Sequence, residues 1–209
     1  MRRPSPPCTY LRPTADRHSD PLFQRTLVNV IRGGADLFGS ASGADGWTGL
    51  PVICDEVFAG LFRLGRLSAS SFLQIEPDIS VHAKLLTGGL LPLAVTLASE
   101  SVFGAFLADD TPAALLHGHS YTAHPVGCAV AVASLRAMLD MERAGRFAPA
   151  AEGSGPGTGV WSCWSTPFVR ELSALERVDG VVALGTVLAV TLRAAEPGAF
   201  LLLAVTFGD

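Results

Sequence analysis

Between Asp20 and Gly34 the apolar residues Leu22, Phe23, Leu27, Val30 and Ile31 recur at helical spacing, with Asp20 placed as N-cap, Pro21 in the first turn and Gly33 as a stop. That pattern predicts a short amphipathic helix. The stretch 35–49 is rich in Gly, Ser and Ala and reads as a loop leading into the strand "LPVICDE", whose run of apolar side chains ends on two adjacent carboxylates, Asp55 and Glu56. A second short strand, "PDISVHA", spans 77–83 and is followed at once by Lys84 and the breaker "TGG" at 87–89. The run "LPLAVTLAS" at 91–99 alternates too little for a half-exposed strand and predicts one buried on both faces. Three short buried strands in one region predict an α/β sheet.

From Pro125 a run of helix formers reaches Gly145, predicting a long helix whose many alanines imply close packing. The segment 148–160 reads as a flexible linker, rich in Gly, Ala, Ser and Pro. Residues 177–194 then read as two strands or one kinked strand, with turn signals at Asp179-Gly180 and Gly185, and mark the start of a second, smaller domain at 161–209. The C-terminal "PGAFLLLAVTFGD" is hydrophobic and carries no end signal. The implied organisation is a poorly ordered, Pro- and Arg-rich lead at 1–19, a large domain at 20–147, the linker, and the second domain.

Composition narrows the function classes. The 209 residues are 49% hydrophobic and 16% charged, enough apolar content for a sizeable core. A net charge of −4, scattered arginines and a single lysine give no basic stripe for nucleic acid. The longest apolar stretch, 85–108, is interrupted by Gly88, Gly89, Pro92 and Glu100, so it reads as a core segment rather than a membrane span. Cys8, Cys54, Cys128 and Cys163 lie far apart without CxxC spacing, and Cys54 and Cys128 sit in apolar runs typical of buried, reduced thiols in an intracellular compartment. The lead lacks the apolar core of a secretory signal; a mitochondrial or a cytoplasmic location fits it.

Candidate chemistry centres on Asp55 and Lys84, each at the C-terminal end of a strand, where open α/β sheets place ligands. An aspartate at a strand end more often caps a helix or joins a salt bridge than takes part in a reaction. A lysine between an apolar strand and a Gly-Gly turn is expected to be partly desolvated, which favours the neutral amine that attacks carbonyls. Pyridoxal phosphate requires such an amine for its aldehyde and a carboxylate that keeps its ring nitrogen protonated. Glu56, on the opposite side of the strand from Asp55, is expected to form a structural salt bridge with Arg63 or Arg66. His117, His119 and His124 suggest a metal site, but no acidic or cysteine ligand is spaced to complete it, so no metal is expected.

The segments "ICDEVFAGLFRLGR", "PDISVHAKLLTGGLLPLAVTLAS" and "HGHSYTAHPVGCAVA" resemble, in order and spacing, the class-III pyridoxal-phosphate aminotransferases. With "DPLFQRTLVNVIR" and "FVRELSALERVDGVVALGTVLAV", they look most like the aminotransferase part of eukaryotic 7,8-diaminopelargonic acid synthase, often fused to dethiobiotin synthetase. The resemblance covers roughly 20–194. It implies an α/β fold, a partial fold-type-I large domain with the start of the small C-terminal domain. It also implies a homodimer that transfers an amino group to 8-amino-7-oxononanoate in biotin synthesis, with S-adenosylmethionine as donor.

Carried over by motif, the resemblance implies that Asp55 pairs with the ring nitrogen and Val57 packs against the ring face. Lys84 binds the cofactor aldehyde and then moves the proton of the reaction. Ser120, with His119 beside it, matches the hydroxyl that reaches the cofactor phosphate of the neighbouring subunit. Complete members carry a Gly-Ser phosphate-binding turn and a ring-stacking aromatic before the aspartate strand, which this sequence lacks; "GSASGADG" at 39–46 stands directly before that strand and reads as a connector. The arginine that holds a substrate carboxylate is not identifiable either. The expectation is an aminotransferase with weak or no activity as this chain alone, the alternatives being an ω-amino-acid aminotransferase or a degenerate, non-catalytic fragment.

Overall fold

A computed structural model describes residues 9–11, 20–33, 49–109, 111–113, 115, 117–148, 160–193 and 201–206. The lead at 1–19 apart from 9–11, the loop at 35–48 and the linker at 149–159 lie outside the described residues. The first sheet runs β1 (Thr9–Leu11), β2 (Val52–Asp55), β3 (Ile79–His82) and β4 (Val95–Ala98) in spatial order. β1, β2 and β3 are parallel and β4 returns antiparallel to β3. β1, inside the lead, is a strand the sequence reading did not assign.

Helix α1 (Pro21–Gly33) starts as its pattern predicts, the Asp20 carboxylate accepting the N–H of Leu22 at 2.7 Å. Its buried Val28 packs with Val52 and Cys54 of β2, and Leu27 and Ile75 close the cluster. The helix is also pinned by charge. Arg32 pairs with Asp78 at 3.0 Å, and the same Asp78 oxygen accepts the N–H of Val52 at 2.7 Å, tying α1 to the start of both central strands.

β4 corrects the expectation of a strand buried on both faces. It is the edge of the sheet among the described residues, and Thr96, Leu97 and Ala98 are exposed. An unbroken apolar run records what a strand could bury, not what lies beside it. After the short helices α2 (Ser70–Leu73) and α3 (Glu100–Gly104), the long helix α4 (Pro125–Arg143) forms as predicted and ends at Gly145, whose φ is +70°. The close packing inferred from its alanines is confined to one face. Gly127 and Ala131 are buried, Ala131 against Leu61 and Leu86, while Val126, Val132 and Met141 are exposed. Cys128, expected to be buried, is exposed on this helix; Cys54 is buried as expected.

A separate antiparallel sheet contains β5 (Val178–Leu184), β6 (Val187–Leu192) and β7 (Leu201–Thr206), and it marks the onset of a second domain. The first two strands form a hairpin turning at Gly185-Thr186, with a register irregularity between Val178 and Gly180. Of the two turn signals of the sequence, Gly185 forms the hairpin turn, whereas Asp179-Gly180 lies within β5 as the register irregularity. β7 arises from the hydrophobic C-terminal run, which carried no readable signal. Helix α5 (Thr166–Ser173) packs Val169 and Leu172 on the core of Val178, Leu188 and Val190.

Candidate active site

β2 and β3 run side by side in the same direction, with Asp55 opposite Val81 and the N–H of Glu56 donating to the Val81 carbonyl at 2.9 Å. Their C-terminal ends therefore lie at the same edge of the sheet, and that edge carries Asp55, Val57 and, just beyond β3, Lys84. Asp55 and Val57 are half-buried; an Asp55 carboxylate oxygen accepts the N–H of Val57 at 3.0 Å, which orients the side chain at the strand end.

Lys84 opens a single 3₁₀ turn, Lys84–Leu86. Its carbonyl accepts the N–H groups of Thr87 at 3.2 Å and Gly88 at 3.1 Å, and its φ is +48°, a left-handed conformation unusual for a side-chain-bearing residue. Gly88 and Gly89 follow with φ of +59° and +80°, and the buried hydroxyl of Thr87 donates to the Leu91 carbonyl at 2.6 Å. The "TGG" signal is therefore a tight turn that carries the lysine past the end of the strand. The Lys84 side chain is exposed, which corrects the expected partial desolvation: the apolar strand ends two residues earlier and the glycines beyond the turn supply no covering side chains.

A groove of about 840 Å³ opens at Lys84, within the roughly 300–1,000 Å³ usual for small-molecule sites. Leu91–Ala94 form one wall and Tyr121–Ala123, with His119, form the other. The second wall is a loop folded on itself: the Thr122 hydroxyl accepts the His119 N–H at 2.9 Å, and His119 Nδ1 accepts the Tyr121 N–H at 3.0 Å. His124 caps α4, its Nδ1 accepting the Gly127 N–H at 3.2 Å. The groove thus brings Lys84 and His119 together. Ser120, exposed on the same loop, does not line it, and Asp55 and Val57 stand at the neighbouring strand end. Tyr121 and the 91–94 wall were not foreseen, because their approach to Lys84 depends on tertiary packing.

Glu56 departs from the expected salt bridge. It is 1% exposed, and its carboxylate accepts the Ser68 hydroxyl at 2.6 Å and the N–H groups of Ala69 and Ser70 at 2.9 and 3.0 Å, anchoring the start of α2. The guanidinium of Arg63 lies over the Phe58 ring at 5.0 Å, and that of Arg66 over Phe72 at 4.3 Å. Among the described residues no three His, Cys, Asp or Glu side chains cluster as metal ligands, and no helix is long and apolar enough to cross a membrane.

The family description "Aminotransferase class-III" matches residues 48–148, the segment that holds β2, Lys84 and the groove. Residues 48–148 belong to the class-III aminotransferases. It is 50% identical over 189 residues to the bifunctional dethiobiotin synthetase/adenosylmethionine-8-amino-7-oxononanoate aminotransferase of Emericella nidulans, covering 85% of this chain and 24% of that protein. It is 42% identical over 183 residues to the bifunctional dethiobiotin synthetase/7,8-diamino-pelargonic acid aminotransferase of Oryza sativa subsp. japonica, covering 84% of this chain and 19% of that protein. The chain therefore spans a quarter or less of these relatives' length. Among solved structures it is similar to the adenosylmethionine-8-amino-7-oxononanoate aminotransferase of Methanocaldococcus jannaschii, with a TM-score of 0.53 and 28% identity over 68% of this chain and 31% of that chain. Class-III membership implies pyridoxal phosphate as cofactor, and the first sheet with its helices matches the fold-type-I large domain.

Proposed function

We propose that this chain is part of a pyridoxal-phosphate-dependent aminotransferase of biotin biosynthesis, transferring an amino group from S-adenosylmethionine to 8-amino-7-oxononanoate. The observation that carries the reading is the position of the chain's only lysine: Lys84 is exposed on a groove one strand away from Asp55, in a chain 50% identical over 189 residues to a protein named for that activity. An amine on a groove of small-molecule size and a carboxylate at the adjoining strand end are the donor set the cofactor requires.

Pyridoxal phosphate, when bound, supplies an aldehyde that takes up amines and a protonated ring that withdraws electrons from the reacting carbon. In this reading Lys84 Nζ would hold the cofactor and would serve as the base that moves the proton at the reacting carbon. Asp55, oriented by the Val57 N–H, would hold the ring nitrogen protonated, with Val57 beside it as an apolar contact for the ring. The Ser120 hydroxyl, with His119 beside it, donates to the phosphate held by the neighbouring subunit of a homodimer. The apolar side chains Leu91, Pro92 and Leu93 offer a wall for the aliphatic chain of the acceptor.

The names of the rice and Arabidopsis thaliana relatives include "mitochondrial", which supports that location. An ω-amino-acid substrate is the second reading, favoured by the 30% identity and TM-score of 0.53 to an omega-transaminase of Thermomicrobium roseum. An assay of the purified chain with pyridoxal phosphate, S-adenosylmethionine and 8-amino-7-oxononanoate separates the two. Formation of the diamine supports the biotin reading, and turnover of ω-amino acids alone overturns it.

A further inference from the structure

The turn of the second sheet rests on the loop that follows Asp55. The Arg63 carbonyl accepts both the N–H of Thr186 at 2.8 Å and its hydroxyl at 3.2 Å. Gly185, with φ of +59°, lies so close that a Cβ there would stand 2.2 Å from the Arg63 carbonyl oxygen and 2.5 Å from the Leu64 backbone. Gly65, with φ of +84°, approaches the Trp161 carbonyl in the same way, at 2.8 Å for an added Cβ. Two backbones meet here with glycine on each side, a separation no larger residue permits. The ring of Phe62 stacks on Phe147 at 4.5 Å, and Phe147 meets Trp161 edge-on at 5.2 Å, sealing the joint.

The loop so held is strained. Leu61 and Phe62 are consecutive left-handed residues, with φ of +56° and +67°, and their N–H groups donate to Leu67 and Arg66. Such a conformation persists only where its surroundings over-determine it. The Arg63 side chain, 1% exposed, reaches back over the Phe58 ring, and Phe58 adjoins Val57. A continuous series of contacts therefore runs from Thr186 through Arg63 and Phe58 to the strand end that carries Asp55.

We infer that the Gly185-Thr186 tip is a positioning element for the cofactor-facing end of β2: it fixes the left-handed loop, and through Arg63 and Phe58 it sets Val57 and Asp55. The inference rests on the reading of Asp55 and Val57 as cofactor contacts and adds residues that lie outside the 48–148 family match. It makes the second sheet part of the site's precision rather than an appendage.

Thr186→Val removes the hydroxyl donor at nearly constant volume, and Thr186→Ser restores it; Gly185→Ala tests the close approach. Two readouts apply to each: amide hydrogen exchange at Leu61 and Phe62 in the cofactor-free chain, and spectroscopic titration with pyridoxal phosphate. The expected result for Thr186→Val is faster exchange at both amides and a roughly fivefold weaker cofactor affinity, the scale of one lost hydrogen bond, with Thr186→Ser returning both to wild type. Unchanged exchange overturns the positioning of the loop, and faster exchange with unchanged affinity overturns its bearing on the site. A wild-type chain that shows no cofactor band defeats the proposed function, while the exchange arm still decides whether Thr186 holds the loop. Where Gly185→Ala fails to fold, the Thr186 pair carries the test.

Discussion

Asp55 and Glu56 are adjacent carboxylates with opposite duties: Asp55 is half-buried at the sheet edge with an oxygen on the Val57 N–H, whereas Glu56 is 1% exposed and accepts the N–H groups of Ala69 and Ser70. Successive side chains of a strand point to opposite faces, so the two acids diverge and Glu56 becomes a structural anchor. Replacing the anchor by its amide keeps one acceptor oxygen for Ser68 and Ser70 but turns an NH2 group against the Ala69 N–H, leaving that buried donor without an acceptor. Glu56→Gln is expected to destabilise the chain by about 1–3 kcal/mol, read as a lower urea midpoint, while Asp55→Asn shifts that midpoint less and acts on cofactor binding instead. Equal shifts in the two variants would contradict the division of roles.

Lys84 occupies a left-handed backbone conformation that costs a side-chain-bearing residue about 1–2 kcal/mol relative to glycine. Lys84→Gly is therefore expected to unfold at a higher denaturant concentration than Lys84→Ala, by roughly 1 kcal/mol, although both abolish cofactor attachment. Identical midpoints would show that the turn relaxes without strain.

Ala123, on the groove wall, has φ of +55°. Ala123→Gly relieves that conformation at the expense of a more flexible unfolded chain, and a net gain of up to about 1 kcal/mol is expected in thermal or urea denaturation. A loss of stability would mean that the alanine methyl group packs more tightly than its backbone strain costs.

Burial pushes the Cys54 thiol up from 9.0 to about 12, with the nearby Glu56 carboxylate adding to the effect. The folded value lies above the unfolded one, so the neutral thiol's contribution is complete below about pH 9 and is lost as the pH rises towards 12. Alkylation at pH 8 followed by peptide mass mapping is expected to label the exposed Cys128 and Cys163 and to reach Cys54 only in denaturant. Labelling of Cys54 in the native chain would contradict the packing of α1 on β2.

Where a residue's role follows from its own segment, the sequence carried it. The Asp20 cap, the strand end at Asp55, the end of β3 just before Lys84, the "TGG" turn and the hairpin at Gly185 were all legible because each depends on local backbone chemistry. Features that depend on a distant segment were not. The edge position of β4 depends on what pairs beside it, the exposure of Lys84 on what covers the turn, and the anchoring by Glu56 on residues 12–14 positions away. The serines at 68 and 70 were a faint signal for that anchor, since hydroxyls and first-turn amides seek an acceptor. β7 escaped notice because an apolar run without turn residues has no readable boundaries.

The central claim is that Lys84 is the residue that holds pyridoxal phosphate. Incubating the chain with pyridoxal phosphate, reducing with borohydride and mapping the peptides by mass spectrometry tests it directly, because the sequence contains one lysine. The account predicts a stable pyridoxyl adduct on the Lys84 peptide, lost in Lys84→Ala and weakened in Asp55→Ala. An adduct confined to the N-terminal amine, or none at all, would contradict it.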